Sequence, residues 1–342
     1  MTNAPTDHAT TLRLTGAPLS PADVERVARL GARVELDDAA RTRLAESRGA
    51  LERAIAAGEV VYGVNTGFGS LARQRIEGDR LREVQTNLLR SHASGVGEAL
   101  PEDVTRAMLL LLAASLCRGM SGVRPVVAER VVDLLNAGVT PVVPSVGSVG
   151  ASGDLSPLAH AALVLIGEGE ATVGGRRMSG GEALSAAGLE PIALEAKEGL
   201  ALINGTHLMA GIGALGLCDV DRIFSAALCG AAMSIDACRG TDAFLDERVH
   251  AARQQAGQAE VARRLAALIE GSQIIPSHLH NDPRVQDPYS LRCAPQVLGA
   301  AWDAIMYVRA VIERELGAVT DNPLVFGAEG TEARRHEGVG AR

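Results

Sequence analysis

The run from Lys197 to Arg239 constrains the fold more than any other part of this chain. Ala, Leu, Ile, Met and Gly fill it almost without charge until Asp219. A helix apolar on every side must be buried on every side, so other helices have to surround it. Aromatic residues make up only 2% of a chain that is 47% hydrophobic, and the core must therefore be filled by Leu, Ala and Val. The 342 residues are enough to bury a substantial core, in one large domain or two ordinary ones. The expected fold is mainly α: an N-terminal mixed, loop-rich region followed by a central bundle of long helices.

Local signals mark further helices. Ser20 is a candidate N-cap with Pro21 at the first helical position. Helices are predicted over 37–57, ending at Gly58, over 79–92 and over 102–118, where Val104, Met108, Leu111, Leu112 and Ser115 recur at helical spacing. Another covers 125–136 and stops at Gly138. The stretch 60–71 contains YGVNTGFGS and reads as a loop, as does the Pro- and Gly-rich 140–157. A helix resumes at 158–167, a small hairpin fits 170–191, and helices return at 258–270 and 294–317. No repeat of solenoid period occurs. Three segments are expected: an N-terminal domain, 1–197, carrying the catalytic loops; a central helical bundle, 198–326, incomplete; and a disordered tail, 327–342, with no periodicity and Val339 as its one large apolar residue.

Several function classes are disfavoured. Net charge is -8 with no long basic patch, which argues against nucleic acid as a partner. The N-terminus lacks a basic region followed by an apolar core, so no signal peptide is expected. The longest apolar stretches, such as 108–116, fall short of the ~20 residues of a membrane span. Five cysteines, an odd number with no CxxC pair, fit buried free thiols in a reducing cytoplasm. His160, His207, His278, His280 and Asp282 are plausible ligand types, but no Cys lies near them, and no metal site is expected.

The chemistry centres on GSVGASGDLSP, 147–157. Ala151-Ser152-Gly153 alone is a common tripeptide whose plain reading is a flexible turn. Its glycine neighbours let the backbone fold sharply. If the nitrogen of Gly153 attacks the carbonyl carbon of Ala151, a five-membered ring closes, and loss of water turns Ser152 into an exocyclic methylene. The product is a methylidene-imidazolone, an electrophile that needs no metal or bound coenzyme. Asp154 would assist closure, cap the helix that follows, or do both.

The run GSVGASGDLSPLAH, 147–160, resembles the signature of the aromatic amino-acid ammonia-lyase family, whose fold is ammonia-lyase/fumarase-like. The resemblance extends from Val60 to Phe326 and implies the autocatalytic ring just described. It puts Tyr62 at the family's catalytic tyrosine, a phenolate base for the β-carbon proton, with Asn65, Gly63, Gly67 and Gly69 shaping its loop and a lid. In KEGLALINGTH, 197–207, it gives Asn204 a hydrogen bond to the imidazolone carbonyl. In VQDPYSLRCAP, 285–295, it places Gln286 and Tyr289 in the active site and gives Arg292 the substrate carboxylate, which suits a planar bidentate donor. Outside these motifs Tyr62 would read as a packing residue, Arg292 as a solvated charge and Asn204 as an Asn that bends a helix beside Gly205. Asp321-Asn322-Pro323 also matches a family segment, with a structural role.

Substrate choice is implied by Ser91-His92, which resembles the histidine type rather than the tyrosine or phenylalanine types. A buried imidazole must find polar partners, and His92 offers one; its plain alternative is a helix residue satisfied by a neighbouring carbonyl. The implied reaction is L-histidine to trans-urocanate and ammonia, in a homotetramer. Family members are typically much longer, so the resemblance also implies an incomplete bundle with exposed apolar stripes. The alternatives are a tyrosine or phenylalanine lyase or aminomutase of the same family, and an inactive helical fragment.

Overall fold

The computed structural model describes residues 11–61, 63–66, 76, 80–280 and 282–326. Tyr62 and the tail 327–342 lie outside the described residues. The chain divides into two compact units, Met1–Leu215 with Glu313–Arg342, and Gly216–Ile312. Residues 198–215, assigned from the sequence to the bundle, lie in the first unit.

The first unit opens with β1 (Leu12–Leu14), α1 (Pro21–Ala28), β2 (Val34–Leu36) and α2 (Asp38–Ala56). Strands β1 and β2 pair in parallel. Ser20 and Asp23 form a reciprocal capping box at α1, and Asp37 caps α2 through the amide of Ala39, as side-chain acceptors at N-caps do. Then follow α3 (Leu81–His92), β3 (Val96–Ala99), α4 (Glu102–Leu116), α5 (Pro125–Ala137), β4 (Val139–Pro141) and β5 (Pro144–Val146). Gly138 stops α5 in the left-handed conformation. The region read as one loop from 140 therefore contains strands. β5 pairs with β3, and β4 with β6 (Glu170–Val173), which forms the expected hairpin with β7 (Arg176–Ser179).

Helix α6 (Leu155–Leu165) starts three residues earlier than its periodicity predicts. It is followed by α7 (Gly180–Ala186) and α8 (Glu198–Ile203). The apolar run is not one helix: Asn204 ends α8, and α9 begins afresh, His207–Ala237. Together 198–237 are long and apolar enough to cross a membrane by length and composition, which corrects the expectation that no stretch reaches that length. Of their most apolar window, 72% is buried inside the protein, but farther along α9 Ile223 and Met233 are exposed, so the run is not buried on every side as its composition predicts. From Ala107 to Leu116 every residue of α4 is buried, and with α5, α6 and α8 it supplies the aliphatic core of this unit. The fold is mostly helical, as expected.

Helix α9 leads into the second unit, which holds α10 (Glu247–Arg253), α11 (Ala256–Ile269), α12 (Ile274–Ser277), α13 (Tyr289–Arg292) and most of α14 (Ala294–Leu316). Its core gathers Phe224, Leu228, Ile235, Val261 and Leu265. Trp302 lies 5.1 Å from the Phe224 ring and under the Arg264 guanidinium at 4.3 Å. Val297, Tyr307 and Val308 of α14 are exposed.

Candidate active site

The loop between β5 and α6 has an unusual backbone. Gly150, Ser152 and Gly153 have φ of 68°, 64° and 96°, a region that L side chains enter at an energetic penalty. Ser152 is the non-glycine among them, and left-handed residues of this kind gather at functional sites. A β-carbon at 153 would fall 2.2 Å from the carbonyl oxygen of Gly205, so only glycine fits. Ala151 and Ser152 are exposed while Gly153 and Asp154 are buried. The tripeptide is thus clamped at its third residue and open at its first two. These residues fit a turn whose nitrogen at 153 is unobstructed by a side chain.

Asp154 fastens the clamp. Its own N–H donates to the Gly205 carbonyl at 2.7 Å. One carboxylate oxygen accepts from the Ser148 hydroxyl at 2.8 Å. The other accepts from the amides of Leu208 and Met209 at 2.9 and 3.1 Å, in the first turn of α9. Asp154 stands at the N-cap position of α6 but makes no side-chain cap there. The cap expected for the next helix is therefore given to a helix fifty residues away. Unsatisfied amides at a helix start need such an acceptor, and the positive end of the α9 dipole favours a carboxylate.

Asn204 faces the tripeptide. Its Oδ1 accepts from the Ser152 hydroxyl at 2.7 Å, and its Nδ2 donates to the Asn322 carbonyl at 3.1 Å. Behind it, Gln85, wholly buried, accepts from the amide of Leu200 at 3.2 Å and donates to the Gly63 carbonyl at 3.3 Å. That bond joins α8 to the loop of YGVNTGFGS. In the same loop Asn65 accepts from the amide of Val61 at 2.8 Å and donates to Glu59 at 2.6 Å, and Thr66 accepts from Gly63 at 3.0 Å. Asn65 shapes the loop by closing it on itself.

Burial, reinforced by Arg118, pushes His207 down to about 4. Burial also lowers His160, whose Nε2 accepts from the amide of Gly95 at 3.0 Å. His92 Nδ1 lies 3.0 Å from both the Leu88 carbonyl and the Ser91 hydroxyl. Ser91 donates to the same carbonyl at 2.9 Å. No group of three or more His, Cys, Asp or Glu side chains that could hold a metal occurs among the described residues.

The structure thus brings together Ser152, Gly153, Asp154 and Asn204 in the first unit. In the second unit it brings together Gln286, Tyr289 and Arg292. The Arg292 guanidinium donates to the Asp287 carbonyl at 3.0 Å and to Gln286 Oε1 at 3.2 Å, and lies 5.3 Å from the Tyr289 ring centroid. Sequence reasoning missed Ser148, Gly205 and Gln85. Gly205 follows Asn204 in a run otherwise made for a helix, and that Asn-Gly pair is its one signal in the sequence. Gln85 gave none, because its partners Gly63 and Leu200 are distant in sequence; Ser148 lies six residues from its partner Asp154, but the motif did not single it out.

The family model for aromatic amino acid lyases matches residues 19–339, running past the Phe326 at which the sequence resemblance was expected to end. The histidine ammonia-lyase of Koribacter versatilis (strain Ellin345) is 51% identical over 315 residues, covering 92% of this chain and 61% of that protein. Among solved structures, histidine ammonia-lyase from Trypanosoma cruzi superposes with a TM-score of 0.84 at 38% identity, covering 94% of this chain and 60% of that one. Tyrosine aminomutase from Streptomyces globisporus superposes with a TM-score of 0.87 at 35% identity, covering 94% and 64%. The chain spans about 61% of the length of the first of these relatives.

Proposed function

Since this chain belongs to the aromatic amino acid lyase family, we propose that it serves the non-oxidative elimination of ammonia from L-histidine to give trans-urocanate. The observation that carries this reading is the clamped tripeptide: Ser152 in a left-handed turn, held by Asn204, beside a Gly153 that no other residue can replace. The histidine ammonia-lyase names of relatives near 50% identity support the substrate. The aminomutase structures, at 35% identity, support the tyrosine branch less well.

The methylidene-imidazolone formed from Ala151-Ser152-Gly153 would supply the electron sink that lets the amino group depart. The other roles belong to the side chains. Asp154 and Asn204 hold the tripeptide. Tyr62 takes the β-carbon proton as a phenolate. Arg292, steadied by Gln286 and stacked near Tyr289, takes the substrate carboxylate. His92 offers its imidazole as a donor or acceptor to the substrate imidazole, with Ser91 beside it. The reading includes a homotetramer, in which several subunits build one site. The reading also includes a cytoplasmic location.

The test is to incubate the purified chain with L-histidine, L-tyrosine and L-phenylalanine separately and follow urocanate, coumarate and cinnamate by absorbance. Urocanate alone is expected. Preferential coumarate or cinnamate transfers the assignment to the other branches. No product from any, with residues 151–153 unmodified by peptide mass, leaves an inactive helical fragment.

A further inference from the structure

Lys197 is a lysine with no exposed surface, and Asp321 is its partner at 2.6 Å with a side chain only 3% exposed. Such a pair is hard to justify by stability. Desolvating two charges offsets most of their attraction, and apolar replacements of similar volume are often as stable or more so. Lys197 also has φ of 78°, a strained conformation for a side chain with a β-carbon. Burial depresses its basicity more than Asp321 restores it. Strain and desolvation together mark a contact kept for its geometry.

That geometry leads to the tripeptide. The Asp321 oxygen not facing Lys197 accepts from the amide of Asn322 at 2.7 Å. The Asn322 carbonyl accepts from Asn204 Nδ2, and Asn204 Oδ1 accepts from Ser152. A primary amide has one acceptor and one donor end. Because a carbonyl sits on one side of Asn204, the NH2 must turn to it and the oxygen must face Ser152. The segment around Asp321 is pinned from other directions too: Arg118 donates to the carbonyls of Leu316 and Ala318, both at 2.8 Å. The neighbouring Glu198, also fully buried, is held by Arg124 at 2.7 Å. Helix α8, which ends in Asn204, is thus anchored by charge at its start.

We propose that the buried Lys197–Asp321 pair is a positioning device for ring closure, fixing the Asn322 carbonyl so that Asn204 keeps its oxygen toward the Ser152 hydroxyl. The proposal rests on the reading that the tripeptide closes. In that closure the Gly153 nitrogen bonds to the Ala151 carbonyl carbon, and the carbonyl oxygen leaves as water with the amide hydrogens of Gly153 and Ser152. The Ser152 hydroxyl then leaves as a second water with the hydrogen on its α-carbon. A held hydroxyl presents one Cβ–Oγ direction to this second loss. Lys197 and Asp321 touch neither substrate nor reacting atoms; they act through Asn322 and Asn204.

The experiment compares the parent chain with the double variant Lys197→Met/Asp321→Leu, whose apolar pair should keep the fold, and with the near-isosteric Asp321→Asn. Chains carrying 15N-asparagine report hydrogen exchange at the Asn204 side-chain amide, identified by its loss in Asn204→Asp. Intact mass reports the loss of two waters. Both variants should melt cooperatively, exchange the Asn204 amide about tenfold faster, as loss of one buried hydrogen bond implies, and show a smaller dehydrated fraction than the parent. A folded variant with parental Asn204 exchange overturns the positioning role. A parent chain that keeps its full mass overturns the ring-closure reading instead, and the amide exchange still decides whether the ion pair orients Asn204.

Discussion

Replacing Gly153 by alanine isolates the contact on which the clamp depends. The new methyl would lie 2.2 Å from the Gly205 oxygen and 2.5 Å from its carbonyl carbon. Both atoms are backbone, so no side chain can swing away. The Gly205 carbonyl would have to retreat by roughly 1 Å to reach ordinary contact, and it is the acceptor for the Asp154 amide. The loss therefore has two parts: a β-carbon at φ of 96°, worth about 1–3 kcal/mol, and a broken buried hydrogen bond, worth about 1 kcal/mol. Together Gly153→Ala should destabilise by roughly 2–4 kcal/mol. Gly150→Ala is the internal control. It carries a similar positive φ, 68°, but a β-carbon there meets nothing within 4 Å. Only its backbone term should appear. Urea denaturation of the parent and both variants gives the two losses, and mapping of 151–153 shows whether water is lost. Equal destabilisation at 150 and 153 would refute the close-approach reasoning, because only the contact with Gly205 distinguishes them.

Two further outcomes follow from the same region. Asp154→Ala leaves the amides of Leu208 and Met209 without their acceptor in a buried place, and should lower stability by about 2–4 kcal/mol in denaturant titration; Asp154→Asn, which keeps one acceptor oxygen, should lose less. His207 supplies a pH dependence: its folded value near 4 lies below the free value of 6.5, so below pH 6.5 the unfolded chain takes up a proton that the folded chain refuses. Stability should fall by about 3 kcal/mol from this group as pH drops from 6.5 to 4, and His207→Gln should flatten the thermal midpoint over that window; an unchanged slope would show that His207 protonates freely in the folded state.

Helix starts and stops set by neighbours in sequence were legible. Ser20, Asp37 and Gly138 act on residues within four positions, and each predicted boundary held to within a residue or two. Boundaries set by distant partners were not. The stretch 140–146 read as loop because Pro141 and Pro144 break regular patterns, yet its strands exist by pairing with 96–99 and 170–173. The break at Asn204 was signalled only by the Asn204-Gly205 pair, because the residue that starts α9 afresh is the distant Asp154. Lys197 was legible only as a helix entry. Its burial is set by Asp321, more than a hundred residues on, and charge in a sequence carries no sign of such a partner.

This division explains why the motif was recognisable while its workings were not. GSVGASGDLSP identifies itself through glycines and small polar residues, of which Gly150 answers a local backbone demand with its positive φ. What holds it is assembled from elsewhere: the first turn of α9 takes Asp154, the end of α8 supplies Asn204, and the segment 321–322 orients that amide. Asp154 adjoins Gly153 in the chain, so the cap of α9 and the turn of the tripeptide are one constraint. A carboxylate drawn to the positive end of a 31-residue helix pulls the preceding glycine against Gly205. The Ser152 hydroxyl is then left exposed, with Asn204 to receive it. The start of α9 thereby also fixes where the tripeptide turns.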